Sequence, residues 1–311
     1  MSRRLSGWTG LVLLLVACRG PAPGPAPPPR PGTPPAPGRF TSHWNLLASR
    51  YGKASEPNAS WEQPCYHTER LQVEILRVLE SLPPPATQAA EVLIAVEGTG
   101  TLEVGGQTTP FPAGTVAILP AGARGALRVV KGASLELLAV RAKGPPARGG
   151  SPVVLPFERL VLPGPEGKIA GVRERWLGGV PGGVSLHALE VEGDPRQLAT
   201  VTVDLDGKPQ ELQLQQGYVA PHRRLERDQV LFLLRGSGSL GVADVGDLVT
   251  AGSVAGIPAK VTHFYANADM REGTLALVVF GPATDSVAPT QDDELVFEGS
   301  GRPVRRPVLG Q

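Results

Sequence analysis

The sequence of 311 residues has few of the features that mark disulfide-rich, nucleic-acid-binding or membrane-spanning proteins. Its 2 cysteines are too few for a disulfide scaffold or a four-cysteine zinc site. Its formal net charge of +1 gives no support to nucleic-acid binding, so no nucleic-acid partner is expected. It also lacks an apolar run of the ~18 residues that a membrane-spanning helix needs.

The motifs of several enzyme classes are missing as well. The sequence contains no G-x-S-x-G nucleophile elbow, no phosphate loop and no dinucleotide fingerprint following a strand. Cys65 and His67 are two residues apart and share a strand face, but no third residue is apparent that would orient the imidazole. No catalytic residue is therefore assigned on these grounds.

Glycine and proline are abundant, with 39 and 33 residues respectively. Residues 20–38 contain ten of the prolines, interleaved with glycine and alanine. Such a segment cannot form a core, and we expect an extended, polyproline-like tether there. The remaining glycines and prolines separate short apolar runs, as in turn-rich β proteins.

The N-terminus begins with a basic pair, Arg3 and Arg4, followed by a short apolar stretch that ends in Leu-Val-Ala-Cys18. This order resembles the signal and lipobox of bacterial lipoproteins. The resemblance implies a signal peptide at 1–17, lipidation of Cys18, a linker over 18–39 and a membrane anchor. Arg19 stands where retention in the inner membrane usually needs aspartate, which implies the outer membrane of a Gram-negative cell, facing the periplasm or the cell surface.

Beyond the linker the sequence predicts strands. One short helix is predicted around 43–51. Short β-type runs separated by turn signals every 8–12 residues favour an all-β sandwich or barrel. These runs are Val92–Val96, Thr101–Val104, Thr115–Leu119, Leu135–Val140, Leu186–Val191, Ala199–Leu205, Val230–Leu234, Val254–Ile257 and Thr274–Phe280.

Two of these stretches are copies of each other. Residues 91–121 align with 229–259 without a gap, and 12 of 31 positions are identical, whereas chance would give about two. Because the offset is near 140 residues and only two copies exist, the repeat indicates a duplicated domain.

The copies carry the residues of a known family. Glu91 followed after six residues by Gly98 resembles the end of the first cupin motif, and 106–114 resembles the start of the second. His263 to Asn267 resembles the tail of that second motif in the other copy. The resemblance implies two tandem cupin-type double-stranded β-helix (jelly-roll) barrels, a bicupin. We place cupin domain 1 at 70–145, cupin domain 2 at 170–283, an N-terminal extension packing on the first barrel at 40–69, and a C-terminal tail at 284–311.

Cupins typically hold Fe, Mn, Ni or Zn with three histidines and one glutamate, and the constant offset locates these positions in both copies. The first copy has Pro84, Ala86, Glu91 and Gly125, which leaves one ligand of four. This barrel is expected to bind no metal.

The second copy has His222, Arg224, Gln229 and His263 at the same positions. Arginine cannot coordinate a metal and glutamine is a weak neutral ligand. His222, Gln229 and His263 could still hold a divalent metal weakly, but no cofactor is the favoured expectation. One alternative is a purely structural barrel in which these polar residues are vestigial, and another is a metal-free polar pocket. Strand alternation adds Tyr265 and Asn267 to His222, Arg224, Gln229 and His263, and such a set suits a small polar or anionic ligand.

Three functions follow. The favoured one is a lipid-anchored cell-envelope bicupin without catalytic activity, which binds a small polar or anionic ligand or a partner through the second barrel. A second is a metal-dependent oxygenase or isomerase that uses His222, Gln229 and His263. A third is a structural interaction protein of the envelope, since Trp and Tyr are concentrated in 40–70. Both packing within one chain and a homodimer remain open.

Overall fold

The computed structural model describes residues 40–52, 59–84, 89–144, 149–160, 170–205, 208–243, 245–283, 293–296 and 303–305. Nearly all of these residues lie in or between short strands, which confirms the all-β class. The expected signal peptide, Cys18, the linker and position 86 lie outside the described residues. Among the described helices, none is long and apolar enough to cross a bilayer.

The elements of the first half follow in chain order. They are β1 (Phe40–His43), α1 (Trp44–Gly52), β2 (Trp61–His67), β3 (Leu71–Val78), β4 (Ser81–Leu82), β5 (Glu91–Gly98), β6 (Thr101–Val104), β7 (Gln107–Pro110), β8 (Thr115–Leu119), β9 (Arg124–Arg128), β10 (Leu135–Ala142), β11 (Val153–Pro156) and a 3-10 turn at Phe157–Arg159. The helix lies where the sequence predicts one.

The second half continues with strands only in its described part. They are β12 (Val172–Gly179), β13 (Ser185–Val191), β14 (Leu198–Leu205), β15 (Lys208–Gln215), β16 (Tyr218–Arg224), β17 (Asp228–Arg235), β18 (Ser237–Val242), β19 (Val245–Thr250), β20 (Ser253–Ile257), β21 (His263–Asn267), β22 (Thr274–Gly281), β23 (Asp293–Val296) and β24 (Pro303–Arg305). Each predicted strand run falls within one of these elements.

Each half is built from two antiparallel sheets around its own apolar interior. In the first half the sheet β11-β8-β5-β10-β3-β2 accompanies the sheet β4-β9-β6-β7. In the second half the sheet β1-β20-β17-β22-β13-β12 accompanies β19-β18-β21-β16-β23-β24, and β14 and β15 form a separate hairpin. Alternation along the strands sends every second side chain inward, for example Leu93 in the first half and Leu231 in the second. The two halves therefore form two tandem jelly-roll barrels, as the repeat predicts.

A third core joins the two barrels. It collects the outward side chains of both large sheets, such as Ile94 of β5 and Phe232 of β17. Strand β1 pairs with β20, with Phe40 opposite Gly256, whereas β2 pairs with β3 of the first barrel. The segment expected to pack on the first barrel thus contacts both halves, and the domain bounds given above stay predictions.

The glycines shared by the two copies have a conformational reason. Gly98 has φ +84 and Gly236 has φ +82, values that favour glycine. A Cβ at Gly98 would lie 1.9 Å from the carbonyl oxygen of Ser134, and a Cβ at Gly236 would lie 2.3 Å from that of Gly273. The duplicated turn therefore needs glycine at this position in both barrels.

Candidate functional site

The two histidines predicted in the second barrel lie together in its interior. His222 of β16 is opposite His263 of β21 in the strand register, and their ring centroids are 4.1 Å apart. The register of β16 shifts between Val219 and His222, so His222 and Arg224 both turn inward and are buried. Gln229 of β17 completes the group, with its Nε2 atom 2.8 Å from Nε2 of His263.

Backbone carbonyls orient both imidazoles. Nδ1 of His222 is 2.9 Å from the oxygen of Ala220, and Nδ1 of His263 is 3.1 Å from the oxygen of Val261. Because a carbonyl only accepts, both Nδ1 atoms carry the proton in the neutral rings. Nε2 of His263 is then an acceptor, and the amide N–H of Gln229 donates to it.

Arg224 lies inside the same barrel at the position where the family has its second histidine. Its guanidinium carbon is 4.9 Å from the centroid of the Phe280 ring, and one terminal nitrogen is 3.4 Å from Glu174 Oε2. Glu174 Oε1 is also 3.0 Å from Nδ1 of His187, which packs edge-on against Phe280. Arg224, Glu174 and His187 therefore form a connected polar group on the apolar wall of the barrel.

Tyr265 and Asn267 belong to a different network. The hydroxyl of Tyr265 is 2.8 Å from Thr274 Oγ1, which donates to Oδ1 of Asn267 at 3.0 Å. The amide of Asn267 donates to the carbonyl oxygens of Gly193 and Asp269. Burial raises the pKa of Tyr265 to about 12, although its hydrogen bond with Thr274 acts in the opposite direction. These two side chains hold strands and turns together and are not brought to the histidine pair by any of these contacts.

The second barrel does not fit a tightly bound divalent metal. Two imidazoles and one amide give a neutral donor set, the amide of Gln229 already donates toward His263, and Arg224 is a buried cation in the same interior. Among the described residues, no three histidine, cysteine, aspartate or glutamate side chains are arranged to hold a metal ion.

The first barrel has a group of charged side chains at the corresponding place. We call it the first-barrel ion cluster, and its members are Glu62, Glu74, Glu91, Arg124 and Arg141. Glu91, the family's glutamate position, is 2.9 Å from Nε of Arg141 and 3.2 Å from Nε of Arg124.

The first barrel has no ligand at the position of the family's third histidine. That position is Gly125, and a Cβ on Gly125 would meet the side chain of Glu103 at 2.7 Å, on the strand face opposite the interior residue Leu102. The ion cluster therefore occupies the interior position where the cupin motif would place its glutamate, and the absence of a metal from this barrel stays a prediction.

Glu174 and His187 were not identified from the sequence. His187 interrupts the apolar alternation of β13, and this irregularity could have been noticed. Glu174 lies between Arg173 and Arg175 on β12, and a run of charged residues like this one gives no signal for a buried position. Glu174 and His187 can be recognised as part of the site only in the folded structure, where β12, β13 and β16 bring them together with Arg224 in the second barrel.

A separate open groove of about 470 Å³ lies between the edge strands β1 and β19. Its lining residues are Thr41, Ser42, His43, Asp247, Leu248, Thr250 and Ser253. His43 is held in the wall, because its Nε2 contacts the oxygen of Ala251 at 2.9 Å and its Nδ1 accepts from the backbone of Asn45. None of the predicted site residues lines this groove.

Comparison with known proteins supports the fold through structure alone. No protein-family model and no curated protein sequence matches the chain. The structure is similar to a cupin 2 conserved barrel domain protein from Leptotrichia buccalis, with TM-score 0.52 and 12% identity over 78% of this chain and 95% of that one. It is also similar to a salicylate 1,2-dioxygenase from Pseudaminobacter salicylatoxidans, with TM-score 0.57 and 11% identity over 78% and 83%. The chain therefore has the same two-barrel fold as these solved structures, one of which is a cupin barrel protein.

Proposed function

We propose that this bicupin is a binding protein without catalytic activity, which takes a small polar ligand into its second barrel. The observation that carries the proposal is the place of Arg224, a buried guanidinium on the ring of Phe280 where the fold family has a metal-ligating histidine. A permanent cation there disfavours a dication and favours a ligand with oxygen acceptors.

The charge balance narrows the class of ligand. Glu174 already partners Arg224, so the pair as a whole is close to neutral. His222, Gln229 and His263 add imidazole and amide groups that can donate or accept. A ligand that combines an oxyanion with hydroxyl groups matches this set better than a bare anion. Apolar neighbours such as Phe280 and Leu231 would exclude water around it.

The test measures ligand-induced stabilisation of the full-length chain with citrate, inorganic phosphate and glucose as probes. We expect citrate to raise the unfolding temperature, and Arg224→Lys to abolish most of that rise because lysine loses the paired donors. Arg196→Lys is the matched control, since Arg196 forms an exposed pair with Asp194. An equal rise in both variants, or no rise with any probe in the parent chain, contradicts the proposal.

A metal-dependent oxygenase or isomerase is the second candidate. It is favoured by one observation, namely that both imidazoles are held through Nδ1 as metal-ligating histidines commonly are. Metal analysis of the purified chain separates the two candidates. Stoichiometric Fe, Mn, Ni or Zn that is lost in His263→Ala would favour the enzyme, whereas metal-free protein favours the binding function.

We also propose that the chain is anchored in the cell envelope through Cys18. The basic start, the apolar stretch and the Leu-Val-Ala-Cys sequence support this location, with the proline-rich linker as a tether. Cys18→Ser should move the protein from the membrane fraction to the soluble fraction. Unchanged membrane fractionation of this variant would refute the anchor and leave the binding function untouched.

A further inference from the structure

The first-barrel ion cluster contains more carboxyl groups than guanidinium groups. Glu62 from β2, Glu74 from β3 and Glu91 from β5 face Arg124 from β9 and Arg141 from β10. Three ionised carboxylates and two guanidiniums would leave one uncompensated negative charge. Glu74, Glu91, Arg124 and Arg141 are all buried, and an unbalanced charge in such a place is strongly unfavourable.

The geometry shows which two carboxyl groups are forced together. Nη1 of Arg141 contacts Oε1 of Glu62 and Oε2 of Glu74 at the same time. Oxygens that meet at one nitrogen lie next to each other, and two carboxylates that share a site cannot both ionise easily. Glu91 has its own partners, since Arg141 binds it through Nε and Arg124 approaches it from the other side.

We propose that Glu62 and Glu74 share one proton at neutral pH, which makes the ion cluster neutral, and that the loss of this proton in mildly alkaline solution destabilises the first barrel. The cluster is then a proton-dependent structural centre in the place where the fold family has a metal. The cluster lies in the first barrel and shares no residue with the candidate ligand pocket of the second.

The surroundings of the pair agree with this assignment. Burial raises the pKa of Glu74 to about 8, and its hydrogen bond with Glu62 adds to the increase, while Arg141 opposes it. Burial alone would raise the pKa of Glu62, but its hydrogen bond with Glu74 and the charges of Arg141 and Arg124 lower it. The pair therefore holds one proton in common, and Glu74 is the member whose pKa is raised.

The remaining groups around Glu74 do not replace that proton. Gln72 on the same strand donates its amide N–H to Glu74 Oε1 at 2.5 Å and carries no charge. Cys65 on β2 donates its Sγ–H to the oxygen of Val73, and burial together with the charge of Glu74 raises the pKa of its thiol. The positive charges of the cluster are the two guanidiniums already counted.

The direction of the pH effect follows from the pKa of Glu74. Because this pKa is higher in the folded chain than in an unfolded one, the stability contributed by the proton is complete below the ordinary glutamate pKa and is lost as the pH rises through about 8. Glu62 has a lowered pKa, so its contribution is lost only in acid. Between pH 7 and pH 9 we expect the unfolding equilibrium constant to increase about tenfold.

The test compares the full-length parent chain with Glu74→Gln and Glu62→Gln by chemical unfolding from pH 7 to pH 9. Either amide leaves two carboxylates facing two guanidiniums, so no shared proton is needed, and most of the tenfold change should disappear. Asp194→Asn is the control, because Asp194 is a carboxylate of the second half that pairs with the exposed Arg196 and lies outside the ion cluster, and it should keep the parent's pH dependence.

Infrared difference spectra of the same proteins provide a readout that does not depend on stability. The parent and Asp194→Asn should show a protonated carboxyl band at pH 6.5 that disappears by pH 9.5, and Glu74→Gln should lack it. The proposal is overturned if the parent has no such band, or if both amide variants keep the full pH dependence of unfolding.

Discussion

Two residues of the second barrel differ from the four-ligand set that the cupin motif implies. His222 and His263 lie opposite each other, and each is oriented through Nδ1 by a backbone carbonyl. Arg224 replaces a neutral donor with a permanent cation, and Gln229 replaces a carboxylate with an amide. At the scale of single residues, these two differences change the charge and the donor type of the group around the histidine pair.

Restoring those two residues should restore a metal site. We expect Arg224→His combined with Gln229→Glu to bind Zn²⁺ or Mn²⁺ close to one ion per chain, because the barrel interior would then contain three imidazoles and one carboxylate. Metal content after dialysis measures the effect, with the parent chain treated in parallel.

The control for this prediction adds His263→Ala to the double variant and should lose the metal. If the double variant folds but retains no more metal than the parent, the shape of the barrel interior prevents coordination, whatever residues stand at positions 224 and 229.

Strands β1 and β2 help to join the two barrels, through contacts that cannot be predicted from the pattern of apolar residues in the sequence. Strand β1 pairs with β20, and Phe40 stacks on Tyr66 of β2 with ring centroids 4.9 Å apart. The Tyr66 ring is fully buried and lies over Gly256 of β20, where a Cβ would come within 2.0 Å of Cε1. The close approach of β2 and β20 therefore requires glycine at position 256.

We expect Gly256→Ala to lower the free energy of unfolding by about 1–3 kcal/mol, as overpacking of a close-packed core generally does. The matched control is Gly246→Ala on the edge strand β19, where a Cβ would come no closer than 3.9 Å to its neighbours. Urea unfolding measures both. Equal stability of the two variants would mean that Tyr66 can shift without loss of packing.

Some strands can be predicted from the sequence and others cannot. Strands such as β5 and β17 were predicted because they are apolar and repeated at a fixed offset. Strands β3 and β12 were not, since Glu74 on β3 and Arg173 on β12 look like solvated residues. Both are buried in ion pairs whose partners come from other strands.

The residues of the candidate site also fall into those that the sequence could locate and those that it could not. The repeat located His222, Gln229 and His263, which lie in one cluster. The repeat could not identify Glu174, because Glu174 lies on β12, outside the repeated segment. Only the pairing of β12 with β13 in the folded sheet brings Glu174 to the barrel interior. A buried charge is recognised only through its partner, and partners distant in sequence are supplied by the fold.

At the scale of the whole molecule, the shared core ties the stability of one barrel to that of the other. Ile94 and Val116 of the first large sheet belong to the same apolar core as Phe232 and Leu277 of the second. Asp228 adds a polar link, accepting the backbone N–H of Arg70 at 2.9 Å. Separation of the barrels would expose this core to water, which is unfavourable for both halves.

We therefore expect the described halves to unfold as one unit. Leu93→Ala, placed in the interior of the first barrel away from the shared core, should lower the free energy of unfolding by about 2–5 kcal/mol. Hydrogen exchange should show the same loss of protection in peptides covering β5 and β17, although β17 lies in the other barrel. Leu233→Ala is the reciprocal variant in the second barrel and should have the same effect on both peptides. If each variant lowers protection only in its own barrel, the halves open independently, and the alkaline destabilisation expected from Glu74 would then remain confined to the first barrel.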